Sequence, residues 1–311
     1  MHTDRLDPEL AAVAGRFDDR GVPPWHELSV PAARRLEDDL FSGDDTPPVD
    51  RVREVAFAGP HGDVPLRVYS SDDASEAPVL VLFHGGGWTL GTLDSIDGPC
   101  RELADRTGAV VVSVDYRLAP EHPFPTAVDE ATAAVDWVNA NAAVFGGDPA
   151  RLGVIGTSAG GNLAAVTALR DRAEETGCVS GQFLLYPMVD RDQSPGSYTD
   201  NADSPFLTPP AIAWFWEQYL RSPVDAANPY AAPLQASSLQ GLPGGTVVTA
   251  GHDPLRDEGV GYADRLDDAG VAVTHRHYPG MAHGFLSLTD SVASPRLRWK
   301  SWRAISSRRC D

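Results

Sequence analysis

Residues 152–160 read Leu-Gly-Val-Ile-Gly-Thr-Ser-Ala-Gly, and an alanine-rich stretch follows them. The first four residues form the kind of apolar run that a buried parallel strand shows, and the alanine-rich stretch predicts a helix. Between them stands the pattern G-x-S-x-G, centred on Ser158. A turn this tight strains the serine backbone and requires glycine on either side, so the hydroxyl is lifted clear of the sheet at a helix N-terminus. We therefore predict that Ser158 is a nucleophile.

Similar apolar, β-branched runs recur along the chain and alternate with helical patterns. The predicted strands cover residues 64–69, 79–83, 109–114, 152–155, 183–186, 246–250 and 271–277. The predicted helices between them cover residues 95–106, 127–144, 160–175 and 256–269. This alternation predicts an α/β fold with a mostly parallel, doubly wound central sheet flanked by helices.

Two segments break the alternation. Residues 190–232 contain many prolines and serines and one aromatic helix over 211–219, while residues 1–45 form two short helices, 9–18 and 32–41, around a proline-rich break. We predict that 1–45 and 190–232 form a helical cap over a catalytic domain made of 46–189 and 233–311. The alternative is that the aromatic helix is ordinary core.

A serine hydroxyl needs a base, and in the strand–G-x-S-x-G–helix arrangement the acid and the histidine follow the serine in the chain. His283 lies in a predicted loop just past the end of the last predicted strand, where catalytic residues of open α/β sheets gather. His275 and His277 instead alternate within that strand, so they are better interpreted as structural residues. A metal pair there lacks a third ligand. We predict that His283 is the base.

The acid should follow the preceding strand. Asp253 is the first acidic residue after the run 246–250, whereas Asp257 already belongs to the next helix and complements that helix's dipole. Asp253 is therefore the predicted acid, which fixes the histidine tautomer and stabilises the imidazolium.

Acyl transfer also needs donors for the developing oxyanion. The apolar run 79–83 leads into His84 and then into Gly85, Gly86 and Gly87, whose backbone N–H groups can approach a ligand without side-chain interference. Together with the N–H of Ala159, these three glycines are the predicted oxyanion hole. A flexible glycine loop is the alternative. We expect His84 to shape the loop and not to act as a second base.

Several other kinds of chemistry find no support in the sequence. The glycine clusters match neither G-x-G-x-x-G nor the P-loop spacing, so no nucleotide cofactor is predicted. His26-Glu27 is not followed by the second histidine of a zinc-binding motif, and no metal site is predicted. The three cysteines form no C-x-x-C pair and are interpreted as buried or incidental thiols.

Length and composition favour a globular protein with a sizeable core. The chain has 311 residues, 42% of them hydrophobic, and contains no apolar run of about 18 residues, so we expect no membrane span. The first residues are acidic, with a proline and no apolar core of a signal peptide, which favours a cytoplasmic protein. Because the net charge is -19, nucleic acid is a poor partner.

The sequence resembles the bacterial hormone-sensitive-lipase family of esterases, which belongs to the α/β-hydrolase superfamily. The resemblance covers about residues 50–286. It is carried by five motifs: His84-Gly-Gly-Gly-Trp88, Asp115-Tyr-Arg-Leu-Ala-Pro-Glu-His-Pro-Phe-Pro125, Gly156-Thr-Ser-Ala-Gly-Gly161, Asp253-Pro-Leu-Arg-Asp-Glu-Gly259 and His283-Gly-Phe285.

The resemblance implies a cofactor-free serine esterase that acts on short- to medium-chain acyl esters under a helical cap. It implies the triad Ser158, Asp253 and His283, and similar proteins often form homodimers through an edge strand. Two features depart from the pattern: Thr157 stands where many members carry Asp, and residues 294–311 are basic instead of forming a clear terminal helix. The segment is either an altered terminus or a local partner for the acidic surface.

Two other functions remain open at this point. An amidase, peptidase or acyltransferase would use the same triad. A non-catalytic ligand receptor on this fold would typically lack the histidine that His283 supplies here.

The charge balance suggests a salty environment. Asp and Glu number 44 against 25 Lys and Arg, and Lys300 is the only lysine. Dense surface carboxylates keep a protein hydrated and soluble at high salt, so we interpret the composition as halophilic. A high-GC genome that favours Asp, Arg and Ala codons is the alternative.

We expect the melting temperature to rise markedly between about 0.1 M and about 2 M KCl. The Debye length falls from about 10 Å at 0.1 M to about 3 Å at 1 M, so salt screens the repulsion among surface carboxylates that opposes the compact state. Thermal denaturation followed by circular dichroism across this range tests the expectation, and activity should follow stability. A flat or falling melting temperature would favour codon bias.

Overall fold

A computed structural model describes residues 5–42 and 47–288. Its centre is an eight-stranded sheet in the order β1-β2-β4-β3-β5-β6-β7-β8. The β1–β2 and β2–β4 pairs are antiparallel, and every other neighbouring pair is parallel. This is the predicted α/β architecture with a mostly parallel sheet.

The strands follow the apolar runs of the sequence. They are β1 (Arg51–Gly59), β2 (Gly62–Ser70), β3 (Ala77–Phe83), β4 (Val110–Val114), β5 (Gly147–Thr157), β6 (Gly181–Leu185), β7 (Gly245–His252) and β8 (Val273–Ala282).

Helices connect the parallel strands and cover both faces of the sheet. The helices are α1 (Pro8–Asp19), α2 (Val30–Phe41), α3 (Asp97–Thr107), α4 (Thr126–Asn141), α5 (Ala159–Glu174), α6 (Gly196–Asp200), α7 (Pro209–Tyr219) and α8 (Arg256–Asp268). None of the helices in 5–42 and 47–288 is long and apolar enough to span a bilayer.

The core lies on both faces of the sheet because successive side chains of a strand point to opposite sides. In β3, Val79, Val81 and Phe83 belong to one apolar cluster, whereas Leu80 and Leu82 belong to the other. Every one of these side chains is at most 3% exposed. Burial on both sides explains why the central strands are continuous apolar runs.

Four elements differ clearly from the sequence-based prediction, and one of them is β5, which was predicted over 152–155 but already begins at Gly147. Strand β1 was not predicted, because it is an edge strand whose polar side chains largely face solvent. Strand β8 was predicted to end at residue 277 but continues to Ala282 through Pro279, which an edge strand tolerates since its outer side needs no partner. The short helix α6 inside 190–232 was also missed. The basic segment 294–311 lies outside the described residues.

The segment 190–232, between β6 and β7, packs against the N-terminal helical region. The indole N–H of Trp25 donates to the Phe206 carbonyl at 3.2 Å, and the rings of Phe17 and Phe206 meet edge to face at 5.4 Å. The two segments that break the strand–helix alternation are therefore in direct contact.

The aromatic helix α7 contributes to the core as well as to this surface layer. The rings of Trp88 and Tyr219 stack at 4.0 Å, and Trp216 packs on Trp88 at 4.7 Å. All three side chains are fully buried. The interpretation of α7 as ordinary core therefore holds for Trp216 and Tyr219, while Phe215 on the same helix lines a cavity.

Candidate active site

The turn between β5 and α5 holds Ser158 in a strained conformation. Its backbone has φ 55° and ψ -118°, in the left-handed half of conformational space that a residue with a Cβ rarely adopts. Glycine is required on both sides: a Cβ on Gly156 would overlap the carbonyl of Gly160, and a Cβ on Gly160 would overlap the carbonyl of Phe83. The close approach of α5 to β3 thus fixes the position of Ser158.

The other two predicted site residues follow the ends of neighbouring strands. Asp253 comes directly after β7, and His283 comes directly after β8. Gly284, with φ 77°, then turns the chain away. Since β5, β6, β7 and β8 are parallel neighbours, their carboxyl ends lie along one edge of the sheet, and these side chains are brought to the same edge as Ser158.

Two hydrogen bonds join the three side chains. His283 Nε2 lies 3.0 Å from Ser158 Oγ, and His283 Nδ1 lies 2.9 Å from Asp253 Oδ2. With Nδ1 protonated and donating to the carboxylate, Nε2 is left to accept the serine O–H. Ser158 and His283 are 7% and 8% exposed and Asp253 is fully buried, so the acid is shielded while the hydroxyl reaches the cavity.

Asp253 is held by one backbone and one side-chain donor. The Leu255 N–H donates to its Oδ1 at 2.9 Å, which leaves Oδ2 for the imidazole. The carbonyl of Asp253 accepts from the Asn201 side chain at 3.2 Å, so segment 190–232 also supports this loop. Tyr186 packs edge to face on the His283 ring at 5.0 Å and limits its rotation. The carboxylate and the imidazole are therefore oriented before any substrate binds.

The predicted oxyanion donors lie beside Ser158. Gly85 is so near that a Cβ built on it would lie 3.5 Å from Ser158 Cβ. Gly86 and Gly87 have φ values of 104° and 58°, which suit glycine, and their loop follows the end of β3. Ala159 is the first residue of α5, and an N–H in the first turn has no partner within the helix. The Gly85 end of the loop and the N-terminus of α5 thus both lie next to Ser158.

His84 is built into this loop. Its ring stacks on Tyr116 at 4.3 Å, and Nδ1 donates to the Gly85 carbonyl at 2.8 Å. Burial lowers the pKa of His84 to about 4, so the ring is neutral at ordinary pH. These contacts agree with a role in shaping the loop, as expected from the sequence.

The remaining candidates are not brought to this edge. His275 and His277 both hydrogen-bond Thr249 Oγ1, at 2.8 Å and 3.0 Å, on one face of the sheet. Asp257 accepts the Ser197 N–H at 2.7 Å, in addition to its place in the first turn of α8. Across the described part of the chain, no three His, Cys, Asp or Glu side chains are arranged to hold a metal ion.

Glu258 was not predicted, although it supports the base of segment 190–232. It accepts the Val189 N–H at 2.7 Å and the Tyr198 O–H at 2.8 Å. Burial raises the pKa of its carboxyl well above the usual value. Its spacing in the sequence was the available signal for its burial, because Glu258 lies on the same buried face of α8 as Tyr262 and Leu266.

The site opens into a cavity of about 500 Å³. Ser158, His283 and the glycines 85–87 form one wall, while α1, α2 and segment 190–232 supply the others. Most of this lining is apolar, including Phe17, Phe206 and Phe215. Such a largely apolar pocket with a few converging polar groups suits a small organic ligand.

Comparison with known proteins gives a consistent picture. A model of the alpha/beta hydrolase fold family matches residues 80–287. Carboxylic ester hydrolase LipN of Mycobacterium tuberculosis is 45% identical over 243 residues, which are 76% of this chain and 65% of LipN. Esterase LipI of the same organism is 44% identical over 78% of this chain and 77% of its own. The hyperthermophilic esterase of Pyrobaculum calidifontis, a solved structure, is 38% identical and superposes with a TM-score of 0.89 over 96% of this chain and 97% of that one.

Gly86→Ala should lower kcat for ester hydrolysis by about 10²-fold or more. The substitution introduces a Cβ at φ 104° and against the carbonyl of Leu90, so the loop that carries the N–H groups must shift. Steady-state kinetics on a p-nitrophenyl ester and the melting temperature should be measured together.

Gly261→Ala is the matched control, because the added Cβ meets nothing within 4 Å apart from its chain neighbours and the backbone of its own helix. It should leave kcat unchanged. A Gly86→Ala enzyme with normal kcat and a raised KM would mean that the loop only binds the substrate.

Proposed function

Since the chain belongs to the α/β-hydrolase family, we propose that it is a carboxylesterase that works through Ser158, His283 and Asp253 and an acyl-enzyme intermediate. The observation that carries the proposal is the pair of hydrogen bonds from His283 to Ser158 and Asp253, at 3.0 Å and 2.9 Å. The similarity to LipN and LipI, which are named as ester hydrolases, supports the same reaction.

In the first half-reaction, Ser158 Oγ attacks the ester carbonyl carbon. His283 Nε2 accepts the hydroxyl proton as the new C–O bond forms, and the buried carboxylate of Asp253 stabilises the resulting imidazolium. The imidazolium then donates its proton to the leaving alkoxide as the ester C–O bond breaks. The products of this half are the alcohol and an acylated Ser158.

The tetrahedral intermediate needs donors for its oxyanion. The N–H of Ala159 at the start of α5 and the N–H groups of the loop formed by Gly85, Gly86 and Gly87 are proposed for this role. Because these groups are held in place before the reaction, they stabilise the developing charge without reorganisation.

In the second half-reaction, water takes the place of the alcohol. His283 removes a proton from the water that attacks the acyl carbonyl, and it returns that proton to Ser158 as the acid is released. The same three residues therefore serve both halves, and no cofactor enters the scheme.

We further propose that the chain consists of a catalytic domain and a cap. The sheet and its helices, 46–189 and 233–311, hold the reacting groups, whereas 1–45 and 190–232 form a cap that encloses the substrate. The contacts of Phe206 with Trp25 and Phe17 support a cap made of both segments. A cavity of about 500 Å³ lined by aromatic rings favours short- to medium-chain acyl esters.

Ser158→Ala and His283→Ala should each lower kcat by roughly five to six orders of magnitude, because nucleophile and base act as a unit. Asp253→Asn should cost about 10⁴-fold, since it disturbs only the tautomer and the orientation of the ring. The measurement is kcat on p-nitrophenyl butyrate, together with mass-spectrometric mapping of an organophosphate adduct.

The control is His275→Ala, a histidine on a neighbouring part of the same sheet that does not reach Ser158. It should retain kcat. Labelling at a serine other than Ser158, or an active His283→Ala enzyme, would refute the triad.

Phe215→Ala should shift the preference towards longer acyl chains. Phe215 is 4% exposed, lines the cavity and lies against Gly87, so its removal leaves space beside the reacting groups. A panel of p-nitrophenyl esters of increasing chain length measures the profile. Val224→Ala, at a side chain that is 80% exposed in the same segment, is the control. An unchanged profile in Phe215→Ala would exclude this ring from chain-length selection.

A further inference from the structure

Helix α2 places a carboxyl group in the wall of the cavity. Glu37 is 8% exposed and lines the same cavity as Ser158. Its Oε2 is buried and has no hydrogen-bond partner among the described residues. An unpaired buried acceptor costs free energy, so the Glu37 carboxyl gains from a donor that enters the cavity beside it.

Among the described residues, no basic side chain compensates the charge of Glu37. The charged residues that line the cavity are Asp18, Glu37 and Asp203, and no Lys or Arg in the described parts of the chain joins them. Burial, with a contribution from neighbouring Asp38, raises the pKa of Glu37 to about 7, although the Ser95 hydroxyl and the Gly91 N–H offset part of the rise. The field inside the cavity therefore favours neutral or cationic groups over anions.

A second acceptor lies on the same wall. His84 Nε2 is buried and has no hydrogen-bond partner in the described residues, and because Nδ1 donates to the Gly85 carbonyl, Nε2 carries a lone pair. Gly91 lies next to both side chains: its N–H faces the Glu37 carboxyl, and a Cβ on it would overlap the His84 ring. The Glu37 carboxyl and the His84 ring thus both lie next to Gly91, close to the glycine loop.

We propose that Glu37 is a specificity-determining residue that accepts a hydrogen bond from a hydroxyl or ammonium group on the ester substrate. The proposal rests on the proposed esterase function and narrows the substrate class. Esters that carry a donor on the chain near Glu37 are preferred over alkyl esters of the same length, and esters that carry a carboxylate are disfavoured.

The test uses ethyl esters of matched length whose acyl chains end in methyl, hydroxyl, ammonium or carboxylate groups. A second set carries the same groups on the alcohol and has butyrate as the acyl part. The assay is proton release in a pH-stat, about one unit above the pKa of Glu37. The quantity compared is the ratio of kcat/KM for each donor ester to that for its methyl counterpart.

In at least one of the two sets, we expect the wild-type enzyme to have a kcat/KM about tenfold higher for the donor ester than for its methyl counterpart. This is the effect of one hydrogen bond to a charged group. Glu37→Leu should remove this preference. Glu37→Gln should keep much of the preference for hydroxyl, since its amide oxygen still accepts, but lose the preference for ammonium over carboxylate. Asp39→Asn, at an exposed position of the same helix, should leave every ratio unchanged.

A purely structural Glu37 would lower kcat/KM for all esters alike and leave the ratios intact, which would overturn the proposal. A wild-type enzyme without preference for either donor in both sets would overturn it too. If Glu37→Leu does not fold, the test uses Glu37→Gln and compares kcat/KM for the ammonium ester with kcat/KM for the carboxylate ester. A ratio equal to that of the wild type would then overturn the proposal. Failure of the esterase function itself is distinguishable, because wild type would then not hydrolyse even the methyl-terminated esters.

Discussion

The contact between the N-terminus of α5 and the end of β3 governs the geometry of the site. Gly160 approaches the Phe83 carbonyl so closely that no side chain fits between them. This contact sets the strained backbone of Ser158 at one side of the turn and directs the loop of Gly85–Gly87 alongside it. Strain of this kind persists only where the surrounding structure holds it, and here the buried parallel sheet does so.

Hydrogen bonds of buried polar groups connect the sheet to the segments that cover it. Glu258 accepts the N–H groups of Val189 and Asp190, where segment 190–232 begins, and Asn201 from that segment donates to the Asp253 carbonyl. Arg34 of α2 donates to the carbonyls of Thr89 and Ala119 at 2.9 Å each, so the N-terminal helices are tied to the glycine loop. The covering segments are thus parts of the site, and Glu37 is carried into the cavity by the same helix.

The residues of the site could be predicted wherever a backbone constraint requires a particular residue type, such as glycine, at a particular position. Gly156 and Gly160 mark the turn at Ser158, and the three glycines after Phe83 mark a loop that must approach a ligand. Asp253 and His283 could be chosen because they follow apolar runs, and the ends of parallel strands meet at one edge. The structure places His283 within hydrogen-bond distance of both Ser158 and Asp253, and the catalytic roles of the three residues stay predictions.

The sequence by itself determined the order of strands and helices, the parallel sheet and the residues at its carboxyl edge, because apolar periodicity and glycine requirements are local. Strand β1 and the end of β8 were missed since edge strands need not be apolar on both faces. Tertiary structure alone decided which side of α7 is core and which faces the cavity. It also buried Glu37 in the cavity wall, where no cation from the described residues lies beside it. A carboxyl on a helix surface and one in a cavity wall look alike in a sequence; burial, which depends on distant segments, separates them.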